Sequence, residues 1–152
     1  MIYRHIVIPL DGSQLAECVF SYIDGFNLGT QTKIDLIRVV PPLEVPYKPA
    51  VTLDTGEEVK LNEFALQEEW EYLKKARAKL ANLPADITTQ AFPGQPAEGI
   101  ADYLKTRGAD LLIMATHGRS GPSRWIWGST AEKLLRSTRL PVFLVRPPGC
   151  GE

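Results

Sequence analysis

Short apolar runs alternate with segments of helical periodicity along this chain. The runs are rich in Val, Ile and Leu and show little alternation with polar residues, which is typical of strands covered on both faces of a sheet. They predict five strands, at approximately Ile2–Leu10, Ile34–Val40, Ile87–Phe92, Leu111–Ala115 and Val142–Val145.

The intervals between these runs contain apolar residues at helical spacing. In the first interval these residues are Ala16, Val19, Phe20 and Ile23, and in the longest they are Leu66, Trp70, Leu73 and Leu80. A third helix is predicted to start at Pro96, and a fourth to place Leu134 and Leu135 inward. Because parallel strands need helical crossovers, the pattern predicts an α/β fold, a single-domain doubly wound five-stranded parallel sheet with helices on both faces.

One segment, residues 41–62, interrupts this alternation. It holds four prolines, mixed charge and weak periodicity. Loops of this length are commonly functional, so we predict a long loop or lid before the second helix; a surface insertion without a binding role is the alternative. We expect residues 1–147 to form one domain and residues 148–152 a flexible tail.

Composition narrows the class of protein. The chain has 152 residues, of which 44% are hydrophobic and 23% charged, as in an ordinary soluble domain. A net charge of -1 argues against a nucleic-acid partner. No apolar run is long enough for a membrane span, the amino terminus lacks a secretory signal, and two cysteines make no disulfide framework. We therefore expect a cytoplasmic protein without a membrane partner.

The stretch from Ala115 to Thr130 carries the strongest functional signal. A predicted strand precedes it, glycines punctuate it, and a helix opening on Gly-Ser-Thr follows. Glycines let backbone approach a ligand, and N–H groups at a helix start face anions, so this arrangement predicts a phosphate site. Ligands of open α/β sheets bind where strand order reverses, so Asp11, after the first strand, is expected at the same crevice, toward ribose, base or a phosphate-bridging metal.

Several of these motifs together resemble the UspA-like universal stress protein family over nearly the whole chain. They are Pro9-Leu-Asp-Gly-Ser13, His117-Gly-Arg-Ser-Gly121, Gly128-Ser-Thr130 and Leu140-Pro-Val-Phe-Leu-Val145. The family's nucleotide-binding branch carries a glycine, two residues, a glycine, nine residues, then glycine with Ser or Thr. Gly118 and Gly128-Ser129 match this pattern, whereas Ala115 takes the first glycine's place. Alanine fits there if its φ is negative and is strained if φ is positive.

The resemblance implies the strand order 3-2-1-4-5 of the adenine nucleotide alpha-hydrolase-like fold, and ATP as ligand with Mg²⁺ or Mn²⁺. It implies no catalytic residue, slow or absent hydrolysis, and a homodimer through Val142–Val145, an apolar sheet edge that should not stay bare. Asp11 and Val39 would face adenosine, Ala115 and Gly118 the ribose and phosphates, and the Gly128 group the phosphates. The full nucleotide-binding set is Pro9, Asp11, Val39, Ala115, His117, Gly118, Arg119, Gly128, Ser129 and Thr130. Asp11 is also the candidate metal contact.

Simpler interpretations of these residues stay open. Ser129 with Glu132 fits a capping box, and Asp11 with Gln14 fits a cap of the first helix. His117 pairs with phosphate in one interpretation and with a loop carbonyl in the other. For the whole protein, the alternative is a nucleotide-free dimeric interaction protein of the same fold, which Ala115 favours. An enzyme is less favoured, because neither a Ser-Gly-Gly-rich loop after strand one nor a nucleophile elbow is present.

Overall fold

One parallel five-stranded sheet organises the molecule. The computed structural model of the chain describes residues 3–26, 28–42, 55–116 and 128–147, leaving out the side chains of residues 55–63 and 65. The strand order is β3-β2-β1-β4-β5, and every pairing is parallel. The predicted fold class and strand order are therefore confirmed. The strands are β1 (His5–Pro9), β2 (Lys33–Val40), β3 (Asp86–Pro93), β4 (Leu111–Ala115) and β5 (Val142–Val145).

The main difference between the predicted and observed helices is in the helix before β3, which begins earlier than predicted. They are α1 (Phe20–Ile23), which follows a 3-10 turn (Ala16–Val19), α2 (Thr55–Ala78), α3 (Pro96–Arg107) and α4 (Ser129–Ser137). Residues 55–62 were predicted as loop and are helical, because good helix formers such as Glu, Lys and Leu outweigh their weak apolar periodicity. The rest of the predicted lid, from residue 43 to 54, and the predicted tail, residues 148–152, lie outside the described residues.

Strand side chains alternate between two apolar layers, one on each face of the sheet. Ile6, Ile34 and Ile113 pack toward α1 and α2. On the opposite face, Val7 and Leu112 pack toward α3 and α4. The fourth helix buries Leu134 completely but leaves Leu135 40% exposed, so the inward placement of Leu135 was wrong. Adjacent residues of a helix point about 100° apart, and one apolar stripe cannot hold both.

None of the helices among the described residues is both long enough and apolar enough to cross a membrane.

A buried carboxylate, Asp35, ties three strands and α3 together near the amino-terminal end of the sheet. The Tyr103 hydroxyl donates to it over 3.0 Å, and Nε2 of His5 lies 2.7 Å away. The Thr88 hydroxyl donates at 2.5 Å, and Nζ of Lys33 lies at 3.3 Å. Burial would raise the pKa of Asp35, but the hydrogen bonds from Thr88, His5 and Tyr103 outweigh burial and hold it below its ordinary value.

We expect Asp35→Ala to lower the free energy of unfolding by about 3–5 kcal/mol at pH 7, because it leaves buried polar partners without their acceptor. The folded-state pKa is depressed, so the carboxylate's contribution is complete above its unfolded pKa and is lost as pH falls below about 4. Urea unfolding of both chains at several pH values measures this. Asp102→Ala, at an exposed α3 position, is the control, and a difference that does not depend on pH would contradict the assignment.

Candidate functional site

A cleft opens at the carboxyl ends of β1, β2 and β4, where the chain order of the strands reverses. β1 pairs with β2 on one side and with β4 on the other, so the loops that follow β1 and β4 flank one crevice. Seven of the ten predicted site residues line this cleft: Pro9, Asp11, Val39, Ala115, Gly128, Ser129 and Thr130. The other three, His117, Gly118 and Arg119, lie outside the described residues.

The turn after β1 is ordered by the Asp11 carboxylate. Its Oδ1 accepts hydrogen bonds from the backbone N–H of Ser13 (3.0 Å) and from the Ser13 hydroxyl (2.6 Å). The Ser13 oxygen in turn accepts from the N–H of Ala16 (3.2 Å), the first residue of the 3-10 turn. The N-cap residue of the 3-10 turn is Leu15, which makes no side-chain cap hydrogen bond, so Asp11 with Gln14 does not cap this segment. Asp11 instead orders the chain before it, in an Asx-type turn to Ser13.

No side chain of the described residues caps the first turn of α4. Gly128 is the N-cap residue, with an extended backbone (φ −63°, ψ 147°), and Ser129 is the first helical residue. The Glu132 carboxylate pairs with Arg136 at 2.9 Å. The capping-box interpretation of Ser129 is therefore wrong, because Ser129 lies one position too late and Glu132 is turned along the helix. Since glycine has no side chain, nothing at the N-cap position satisfies the first N–H groups of α4.

Gly128 lies unusually close to the end of β4. Its N–H donates to the Thr116 carbonyl over 2.8 Å, and a Cβ built on Gly128 would lie 2.5 Å from that same oxygen. The sequence suggested that a ligand requires the glycine here. The structure shows that the protein's own backbone already requires it, and the close approach anchors the start of α4 beside β4.

Ala115, in the first glycine position of the motif, is not strained. It is the last residue of β4, in register with Val145 of β5. No non-glycine residue in the described part of the chain has a positive φ. The substitution therefore adds one methyl group to the cleft and costs nothing in backbone conformation.

One charged residue of the cleft, Arg38, is not among the residues predicted from the sequence. It is 5% exposed, and its Nε and Nη2 donate to the two carboxylate oxygens of Glu69 on α2, at 2.9 and 3.1 Å. A signal was present in the sequence: arginine interrupts a run predicted to be buried on both faces, and buried charges need partners.

The charge of Arg38 also acts on Tyr72 of α2. Burial and the Glu17 and Asp11 carboxylates raise the pKa of the Tyr72 hydroxyl, and the positive charge of Arg38 opposes this rise.

The described side chains of the cleft offer few ligands for a metal ion. Within the described ranges, no three His, Cys, Asp or Glu residues are grouped as metal ligands would be. Asp11 is the one carboxylate among the described lining residues of the cleft. A single carboxylate suits a Mg²⁺ ion that is held mostly by phosphates and water.

Comparison with known proteins agrees with this geometry. The model of the universal stress protein family matches residues 2–146. The chain belongs to the universal stress protein family. It is 28% identical to universal stress protein MJ0531 of Methanocaldococcus jannaschii, over 97% of this chain and 84% of that protein. The structure of MJ0577 from the same organism superposes with a TM-score of 0.85 at 21% identity, covering 98% of this chain and 99% of that one.

Two more distant structures of the family contain adenine nucleotides. One is a universal stress protein in complex with cAMP, with a TM-score of 0.61, 18% identity and coverage of 97% of this chain and 99% of that one. The other is an Arabidopsis thaliana family protein with AMP bound, with a TM-score of 0.65, 12% identity and coverage of 95% and 92%. At these identities the likeness shows a shared fold.

We expect Gly128→Ala to lower the free energy of unfolding by about 1–3 kcal/mol, because the new methyl group must displace the Thr116 carbonyl. Denaturant unfolding measures this. The matched control is Gly29→Ala, since a Cβ there meets nothing within 4 Å and its φ is not positive. Equal stabilities of the two variants would show that the start of α4 shifts freely.

Proposed function

We propose that this universal stress protein binds ATP, and that ATP sets its conformational or partner-binding state with slow or no hydrolysis. One observation carries the proposal: a single cleft, where strand order reverses, joins the Asp11 turn to the first turn of α4, whose N-cap residue, Gly128, has no side chain. Open α/β sheets bind ligands at this point of the topology. The AMP and cAMP found in two relatives support adenine nucleotides as the ligand class.

The phosphates would lie against α4. Gly128, Ser129 and Thr130 line the cleft, and the first-turn N–H groups have no capping side chain at Gly128. The partial positive charge of a helix amino terminus favours an anion at this place. Ser129 is exposed and can donate its hydroxyl to a phosphate oxygen. The family motif would bring His117, Gly118 and Arg119 to the same group.

Adenosine would lie toward β1 and β2. Pro9 and Val39 line that end of the cleft, and Pro96, Ile100 and Met114 add apolar surface on the side of α3. Asp11 would accept hydrogen bonds from ribose hydroxyls or base and, through water, assist Mg²⁺ or Mn²⁺ held by the phosphates. We assign no catalytic residue.

A cytoplasmic homodimer through β5 belongs to the same proposal. β5 is an edge strand, and bare apolar edges invite pairing with another chain. Its Phe143 packs edge-to-face on Phe26, with ring centroids 5.0 Å apart, and Tyr22 beside it is 49% exposed. This aromatic surface next to the edge would be covered in a dimer.

The second candidate function is a nucleotide-free interaction protein of the same fold. Two observations favour it. Ala115 replaces the first glycine of the motif, and the need for Gly128 is already explained by its contact with Thr116. The motif would then serve only the architecture of the loop and helix.

Calorimetric titration of nucleotide-stripped protein with ATP and Mg²⁺ separates the two candidates. We expect a dissociation constant on the order of 1 μM or below. A correctly folded protein that binds no adenine nucleotide would leave the interaction protein as the function. Identification of the nucleotide that co-purifies with the untreated protein is the companion measurement.

A second prediction separates helix stability from phosphate binding at α4. Ser129→Asp puts a negative charge at the amino terminus of the helix, which should raise stability by about 0.3–1 kcal/mol through the helix dipole. The same charge should weaken ATP binding about tenfold or more, because it repels phosphate.

Thermal unfolding and ATP titration of the same preparation measure both effects. Ser137→Asp, at the other end of α4, is the matched control, and it should lower stability and leave ATP affinity unchanged. Unchanged ATP affinity in Ser129→Asp would show that the phosphates do not bind at the start of this helix.

A further inference from the structure

Arg38 has more hydrogen-bonding capacity than its ion pair uses. A guanidinium carries five N–H donors. In Arg38, the Nε–H and one N–H of Nη2 donate to the Glu69 carboxylate. One N–H of Nη1 donates to the Val39 carbonyl over a long distance of 3.4 Å. The two remaining N–H groups have no acceptor within the described part of the chain. Arg38 is nevertheless 5% exposed and lines the cleft.

The stability of the fold does not by itself explain the buried ion pair between Arg38 and Glu69. A buried ion pair costs desolvation free energy, and well-packed apolar residues of similar volume often stabilise a fold as well or better. The Arg38 side chain lies on the face of the sheet that otherwise packs Ile34 and Leu36 against α2. A cation held there by a bidentate partner is, however, a rigid and pre-oriented donor, and this is the property that ligand recognition uses.

The position of Arg38 in the sheet decides which part of a ligand it can meet. β2 and β4 are separated by β1, so the end of β2 lies about 10 Å from the end of β4. α4 follows β4, and phosphates at α4 would therefore leave the nucleobase near Arg38 and Asp11. Glu69 also lies under the Asp11 turn, since a Cβ on Gly12 would be 3.8 Å from its Oε2.

We infer that Arg38, oriented by Glu69, is a base-recognition residue of this cleft that donates from its remaining guanidinium N–H groups to ring acceptors of the nucleobase. The inference rests on the proposed nucleotide site and adds to it a donor opposite the Asp11 acceptor. A purine ring presents acceptor nitrogens that such a donor can bind. Glu69 acts through Arg38 and is a positioning residue.

The test compares ATP with inorganic tripolyphosphate, which lacks base and ribose. In Arg38→Met/Glu69→Gln both charges are removed together, so that no unpaired buried charge remains. We expect ATP to bind about tenfold more weakly and tripolyphosphate to bind with unchanged affinity, because one charge-assisted hydrogen bond is lost. The exposed pair Glu71 and Lys74 on the same helix provides the matched control, Glu71→Gln/Lys74→Met.

Arg38→Lys is the second variant, in case the double variant does not fold. Lysine keeps the charge and the pairing with Glu69 but loses the planar fork, so recognition predicts weaker ATP binding with tripolyphosphate unaffected. A parallel fall for both ligands, or no change for ATP, would overturn the inference while the nucleotide site stands. If the wild-type chain bound ATP no more tightly than tripolyphosphate, the base would contribute nothing to affinity, and this result would also overturn the inference. Failure of the wild-type chain to bind either ligand would overturn the proposed function and this inference together.

Discussion

The central position of β1 is the constraint on which the rest of the site depends. β1 is hydrogen-bonded to β2 on one side and β4 on the other, and all the strands run the same way. Parallel strands end at the same edge, so the turn after β1 and the helix after β4 must meet there. Asp11 and Gly128, 117 positions apart in the chain, line one cleft for this reason.

The two ends of the sheet use buried charge differently. Near the amino ends, Asp35 is surrounded by His5, Lys33, Thr88 and Tyr103, and its hydrogen bonds keep it ionised inside the core. Such a network stabilises the packing of α3 on the sheet. At the carboxyl ends, Arg38 is held by one carboxylate and retains donors that its described neighbours do not use. A saturated network serves the fold, and an unsaturated one beside a cleft is available to a ligand.

A glycine in a binding motif can leave room for a ligand or leave room for the protein's own backbone, and the sequence does not distinguish the two roles. At Gly128 the missing side chain makes room for the Thr116 carbonyl, which holds the strand and the helix together. At position 115 the backbone is that of an ordinary strand, and alanine is accommodated without strain. The glycine at position 128 is thus a requirement of the fold itself, whatever the cleft binds.

The sequence by itself determined the fold, because apolar runs on strands and apolar stripes on helices report which surfaces must be buried. It identified β4, β5 and the start of α3 at Pro96, and it named the residues that follow β1 and β4. Tertiary structure decided what local pattern cannot encode. Asp11 forms an Asx-type turn to Ser13 rather than a helix cap, Ser129 lies one position past the cap, and Arg38 pairs with Glu69, 31 positions away. Hydrogen-bond partners distant in the chain are chosen by packing, so only the folded molecule shows them.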